Sequence, residues 1–163
     1  VYKRQPLYKD GKIFFCHGYN INGVMLQLSD DLKSVSVVWR TDVLDTHHGG
    51  YVEVNGTIYG SNWINNNQGN WCAIDWNTGA KGYETTWTGG KGKGSIIAAD
   101  GMLYCYDERR GAVALVNPDP AKFDIVSEFR ITKGVGPHWA HPVIVNGVLY
   151  IRHGFALMAY KVK

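Results

Sequence analysis

The chain is poor in proline and cysteine, has no run of like charge, and lacks any long apolar stretch. Its 3 cysteines (Cys16, Cys72 and Cys105) are scattered through 163 residues without a C-x-x-C pair or a zinc spacing. An odd number argues against a disulfide framework, so these residues read as small buried hydrophobes. No segment approaches the roughly 18 apolar residues of a membrane helix, so no membrane span is expected. The 17 basic and 14 acidic residues are interspersed and leave a net charge of +3. Without a Lys/Arg cluster, that excess is too weak to imply a nucleic-acid partner. No segment shows a 3.6-residue period, which excludes a coiled coil or a helical solenoid. No serine sits in a Gly-x-Ser-x-Gly elbow. The loop Gly89-Gly90-Lys91-Gly92-Lys93-Gly94 leads into no helix, so it is not a P-loop, although a backbone nest for an anion stays open. No catalytic residue is expected.

What is abundant is glycine and apolar side chain. Twenty glycines, with 45% hydrophobic and 13% aromatic residues, describe a globular all-β chain rich in tight turns. The length suits one domain. Four times an Asp/Asn-Gly turn precedes a hydrophobic pair and an aromatic: Asp10-Gly11, Asn55-Gly56, Asp100-Gly101 and Asn146-Gly147. The glycines are 45, 45 and 46 residues apart. A fixed period of this size marks a repeat architecture, and Asn-Gly or Asp-Gly is the favoured two-residue hairpin turn.

Aligned on the turn glycine, each repeat offers an inner strand before it (5–9, 50–54, 95–99, 141–145) and a second strand after it (13–16, 58–61, 103–106, 149–152). A third follows (24–28, 71–75, 113–116, 157–160). A fourth carries an aromatic (35–39, 83–87, 125–129) and is missing from the last repeat. Four antiparallel strands per ~45 residues predict a β-propeller, with blades at about 1–46, 47–91, 92–137 and 138–163 of a single partial propeller. Val52, Ile58, Ile97, Leu103, Val143 and Leu149 are expected to form the buried stripe. Trp39 and Trp87 should pack between blades, and Trp63 and Trp139 should lie on a rim.

Blade two reads Ala73-Ile74-Asp75-Trp76-Asn77-Thr78-Gly79, then Tyr83. This resembles the A-x-D-x-x-T-G-x-x-x-W motif of the pyrroloquinoline quinone-like propeller repeats, with Tyr83 at the tryptophan position. The stretch from His138 to Arg152 is similar to the last blade of bacterial members, so the segment looks like the C-terminal half of such a ring. In blades one and three Leu26-Gln27-Leu28 and Ala114-Leu115-Val116 replace the Ala-x-Asp. WD-repeat propellers share the blade length, but no Trp-Asp dipeptide closes a blade here. The resemblance implies a complete ring of about seven or eight blades and a periplasmic or extracytoplasmic location. It also implies partners in the remaining blades or a second copy of the chain. The four residues Val1-Tyr2-Lys3-Arg4 are too few for an outer strand, so the segment is expected to begin inside a blade.

In a propeller the interblade loops and the loops joining second to third strands share one rim, and all six histidines fall on it. The candidate ligand-binding rim is His17, Asn20, His47, His48, Asn62, Trp63, Lys91, Lys93, Asp107, Arg109, His138, Trp139, His141, Arg152 and His153. Tyr19, Asn22, Asp45, Asn65, Asn66, Asn67, Glu108 and Arg110 lie in the same loops. His48, Lys93 and Trp139 share a column eight residues before the turn glycine. Guanidinium, ammonium and amide groups bind oxygens, and indole stacks on rings or sugar faces. A polar or anionic small ligand, or a protein partner, suits this set. Metal binding is not expected, because His47 and His48 are adjacent and no carboxylate motif joins them to His138 and His141.

Two functions compete. One is a non-catalytic ligand-binding or protein-docking propeller without cofactor. The other, implied by the resemblance, is a dehydrogenase of alcohols or sugars using pyrroloquinoline quinone and Ca²⁺. The adjacent cysteine pair of those enzymes is absent.

Overall fold

In the computed structural model, which describes residues 5–162, the four repeats form four separate antiparallel sheets set side by side. Blade one consists of β1 (Leu7–Lys9), β2 (Lys12–Cys16), β3 (Gly23–Leu28) and β4 (Val35–Thr41). Blade two consists of β5 (Tyr51–Val54), β6 (Thr57–Ser61), β7 (Trp71–Asp75) and β8 (Lys81–Thr85). Blade three consists of β9 (Gly94–Ala99), β10 (Met102–Asp107), β11 (Ala112–Asn117) and β12 (Asp124–Arg130). Blade four has β13 (Val143–Val145), β14 (Val148–His153) and β15 (Ala156–Lys161), with no fourth strand among the described residues. Each strand pairs only with its neighbour in sequence. Trp87, expected inside a fourth strand, lies two residues beyond the end of β8 and packs from the loop. The expectation about Val1–Arg4 lies outside the described residues.

The turns are as their sequences require. Asp10, Asn55, Asp100 and Asn146 all have φ near 51°, and the glycines after them have φ of 72–82°. Both central positions of each hairpin are therefore left-handed, the mirror-type turn that follows strand twist. Each full blade also carries one register shift between its third and fourth strands, at Met25/Leu26, Ala73/Ile74 and Leu115/Val116, where the outer strand bends.

Apolar packing follows one rule. The residue two after the turn glycine faces the preceding blade: Ile58 joins Phe14, Met25 and Leu44. Leu103 likewise joins Tyr59, Ala73 and Tyr83, and Leu149 joins Tyr104 and Tyr106. The aromatic three after the glycine faces the following blade, as do Leu7, Val52 and Ile97 from the inner strands. The expected stripe is thus two opposite faces. Val143 corrects the expectation: it belongs to the forward face of blade four, which no blade covers among the described residues, and it is 57% exposed.

The motif in blade two acts at the junctions. The Asp75 carboxylate accepts hydrogen bonds from the backbone N–H of Asn77 and Thr78 and from the Thr78 hydroxyl, closing the turn. Those bonds outweigh its partial burial and hold its pKa below the ordinary value. Gly79, at φ +71, lies against the Trp39 ring of blade one, where a Cβ would come within 2.6 Å. Only glycine permits that approach. Tyr83 performs the same task forward, packing beside Phe123 of blade three with Trp71 and Trp87.

Candidate functional site

The inner strands of all four blades converge on one space of about 430 Å³, lined by Leu7, Gly50, Tyr51, Ile96 and His141. At the loop rim above it, polar groups from four blades form one connected network. The Lys93 ammonium is 3% exposed, lies 2.7 Å from Glu108 Oε1, and donates to the carbonyls of Asn65 and Asn66 at 2.9 and 3.1 Å. Its three protons have three acceptors, so Lys93 holds the Asn-rich loop (62–70) down. Burial raises the Glu108 pKa, and Lys93 opposes that shift. Glu108 Oε2 lies 3.1 Å from His48 Nε2, out of straight hydrogen-bond alignment. Beyond it, His48 Nδ1 is 3.2 Å from His47 Nδ1, and His47 Nε2 is 2.6 Å from the Tyr19 hydroxyl. His141 Nε2 meets the His48 carbonyl at 2.9 Å.

The rings along this path touch in sequence. Trp139 and His48 are 5.4 Å apart between centroids, His48 and His47 4.8 Å, His47 and Tyr19 4.7 Å, and Tyr19 and Trp63 4.9 Å. Trp139, at one end of this aromatic ribbon, is 57% exposed and Tyr19 49%, while Trp63 at the other end is half-buried. Tyr19 is placed by its loop. Asn20 and Asn22, with Tyr19 itself, take φ of 60–70°, and the buried Asp45 carboxylate accepts from the N–H of Gly18 and Asn20 at 2.6 and 2.7 Å. Asp107 does the same for the N–H of Arg109 and Arg110. Burial raises the Asp107 pKa against those bonds.

Beside the ribbon, His138 and His153 stack at 3.7 Å between blades three and four. His138 Nδ1 meets the Tyr106 hydroxyl at 2.5 Å, while both nitrogens of His153 lie against carbonyls, of Lys133 at 2.8 Å and Gly136 at 2.7 Å. Burial and the neighbouring His153 lower the His138 pKa to about 4.

The predicted rim residues therefore divide. His17, Asn20, His47, His48, Trp63, Lys91, Arg109, Trp139 and His141 are exposed or half-buried at the mouth. Asn62, Lys93, Asp107, His138 and His153 are buried, with their bonds made inside the protein. Asn62, for instance, bridges the Val43 carbonyl, Glu84 and the Asn70 N–H. Arg152 is exposed, and its cross-strand partner is Leu157 on the forward face of blade four. Tyr106, the partner of His138, was missed: inside a strand that is apolar from Met102 to Tyr106 it carries no polar signal.

No family model and no curated protein matches the chain in sequence. Solved structures do match its fold. One is BamB from Moraxella catarrhalis, with a TM-score of 0.70 over 98% of this chain and 46% of that one, at 13% identity. Another is the quinohemoprotein alcohol dehydrogenase ADHIIG from Pseudomonas putida, with a TM-score of 0.62 over 91% and 28%, at 15% identity. The GH43 protein BlXynB from Bacillus licheniformis aligns with a TM-score of 0.54 over 95% and 38%, at 15% identity. The chain is thus a β-propeller segment, similar in fold to BamB and to quinoprotein dehydrogenases. It spans less than half the length of any of these three proteins.

Proposed function

We propose that the chain is a non-catalytic binding platform of the quinone-like propeller superfamily, extracytoplasmic, whose loop rim takes up a polar or anionic ligand or a protein. The observation that carries this reading is the sorting of side chains at the mouth. The carboxylates Asp45, Asp107 and Glu108 are buried and engaged, whereas Tyr19, Trp139, Lys91 and Arg109 face solvent. Fixed rings and cations over a network of buried, internally bonded carboxylates suit recognition. Among the described residues, no helix is long and apolar enough to cross a membrane.

Quinone chemistry fits these residues poorly. Among the described residues, no group of three or more His, Cys, Asp or Glu side chains could hold a metal ion, and the carboxylates near the funnel are taken up by backbone amides and Lys93. Cys16, Cys72 and Cys105 are buried in three different blades. Pyrroloquinoline quinone and Ca²⁺ added to the protein should give no dye reduction with alcohols or sugars. Turnover would overturn the non-catalytic reading. The ends of the arc are read as the place for the remaining blades or a second copy.

A further inference from the structure

We infer that the loop rim docks an acidic peptide segment with apolar anchors. The inference rests on the rim being the binding face. Its first ground is charge. In the loops of this rim the exposed cations are Lys91, Arg109, Arg110 and Lys133, and the sole exposed acid is Asp42. The opposite rim is more acidic: Asp10, Asp30, Asp31, Asp100 and Asp119 stand in its turns with Lys33 and Lys122, and Lys9, Lys12 and Lys81 at the adjoining strand ends. The excess of +3 over the whole chain is thus unevenly distributed, and such an asymmetry steers and orients a charged partner.

The second ground is the apolar surface inside that positive field. Tyr19 and Trp63 are in ring contact, and the same two loops expose Ile21 and Ile64, at 64% and 47%. Aliphatic side chains beside a sugar site would gain little from hydroxyl-rich faces. Isoleucine beside tyrosine, tryptophan and arginine has the composition of a protein hot spot. The surface is also held in place before any partner arrives, with Asp45 pinning the Tyr19 loop and Lys93 pinning the Asn65–Asn66 segment. Such pre-organisation lowers the ordering cost of binding. Arg109 is poised at the edge, its Nη1 donating to the Asn67 carbonyl at 2.9 Å.

The test is selection of a random peptide library of about twelve residues, displayed on phage, against the chain and its variants. Expected are enriched peptides with net negative charge and at least one Leu, Ile, Phe or Trp. Their affinity should fall by about tenfold or more in Tyr19→Ser and in the double variant Lys91→Glu/Arg109→Glu, and fall with added salt. Unchanged thermal unfolding of both variants would confirm that they remain folded. Neutral or basic consensus peptides lost in the same variants would overturn the acidic-peptide inference while leaving the rim as the binding face. So would an oligouronate that binds the rim while no peptide is enriched. Peptides indifferent to both variants but lost in Val143→Asp would overturn the rim reading itself. No enrichment of peptide and no oligouronate binding would overturn both.

Discussion

Leu103 and Val143 were both expected in the buried stripe, yet one is fully buried and the other open to solvent. Leu103→Ala, or Leu149→Ala, should lower unfolding free energy by roughly 2–5 kcal/mol, as for other buried leucines. Val143→Ala should change it by less than about 0.5 kcal/mol. Urea titration separates the two outcomes. His138 supplies a pH test. Its pKa is lowered from 6.5 to about 4 in the folded protein, so the unfolded chain takes up this proton first as the pH falls. The resulting stability is complete above pH 6.5 and drains away as the pH drops toward 4. The melting temperature should therefore fall less steeply across that window in His138→Gln than in the parent. Equal slopes would remove His138 as the cause. Residue-scale legibility was uneven. The rim histidines could be placed from loop position alone, but whether a lysine such as Lys93 points out or in depends on Glu108 and two carbonyls from a neighbouring blade, partners that no local pattern announces. Val143 was misread for the same reason, since burial on a blade face is decided by the next blade.

The hairpin was the most readable element, because its signal is backbone chemistry confined to two residues. Asp/Asn followed by Gly gave all four turns, and their left-handed φ values require no tertiary help. A Cβ on Gly101 meets nothing within 4 Å, but its φ is +72°, so Gly101→Ala should cost about 1–2 kcal/mol through conformation alone. Gly94 is the contrasting case. Its Cβ would stand 1.9 Å from the Tyr106 carbonyl oxygen, and Gly94→Ala should break the pairing of β9 with β10 inside blade three. Differential scanning calorimetry distinguishes a small downward shift from loss of the cooperative transition. Outer strands were less legible. β8 stops at Thr85 and leaves Trp87 in a loop because the indole is buried against Trp71 and Phe123 and its Nε1 donates to Glu128. These contacts, not strand alternation, set its position.

For the whole molecule, the two ends of the arc are its least finished parts. Tyr8, Phe15 and Val37 are exposed on the first blade's backward face, and Val143, Val145 and Leu157 on the fourth blade's forward face. At roughly 25 cal/mol per Å² of apolar surface, covering them favours association, so the 163-residue chain is expected to pair in solution. Phe15→Asp together with Val143→Asp should shift light scattering toward the monomer mass. A parent that is a stable, non-aggregating monomer at micromolar concentration would refute this. The number of blades was legible because a 45-residue spacing survives any drift of individual residues; the occupant of the open ends is not a property of the spacing. The strand order within each blade has a further consequence, in time. Because strands pair only with their neighbours in sequence inside each blade, sheet formation closes only short loops, and the contact order stays low for an all-β protein. A blade can form as soon as its own residues leave the ribosome and then template the face of the next. Amide exchange should show the gradient that such growth leaves behind, slowest in β6, β7, β10 and β11, which are flanked by blades on both sides, and fastest in β1 and β15.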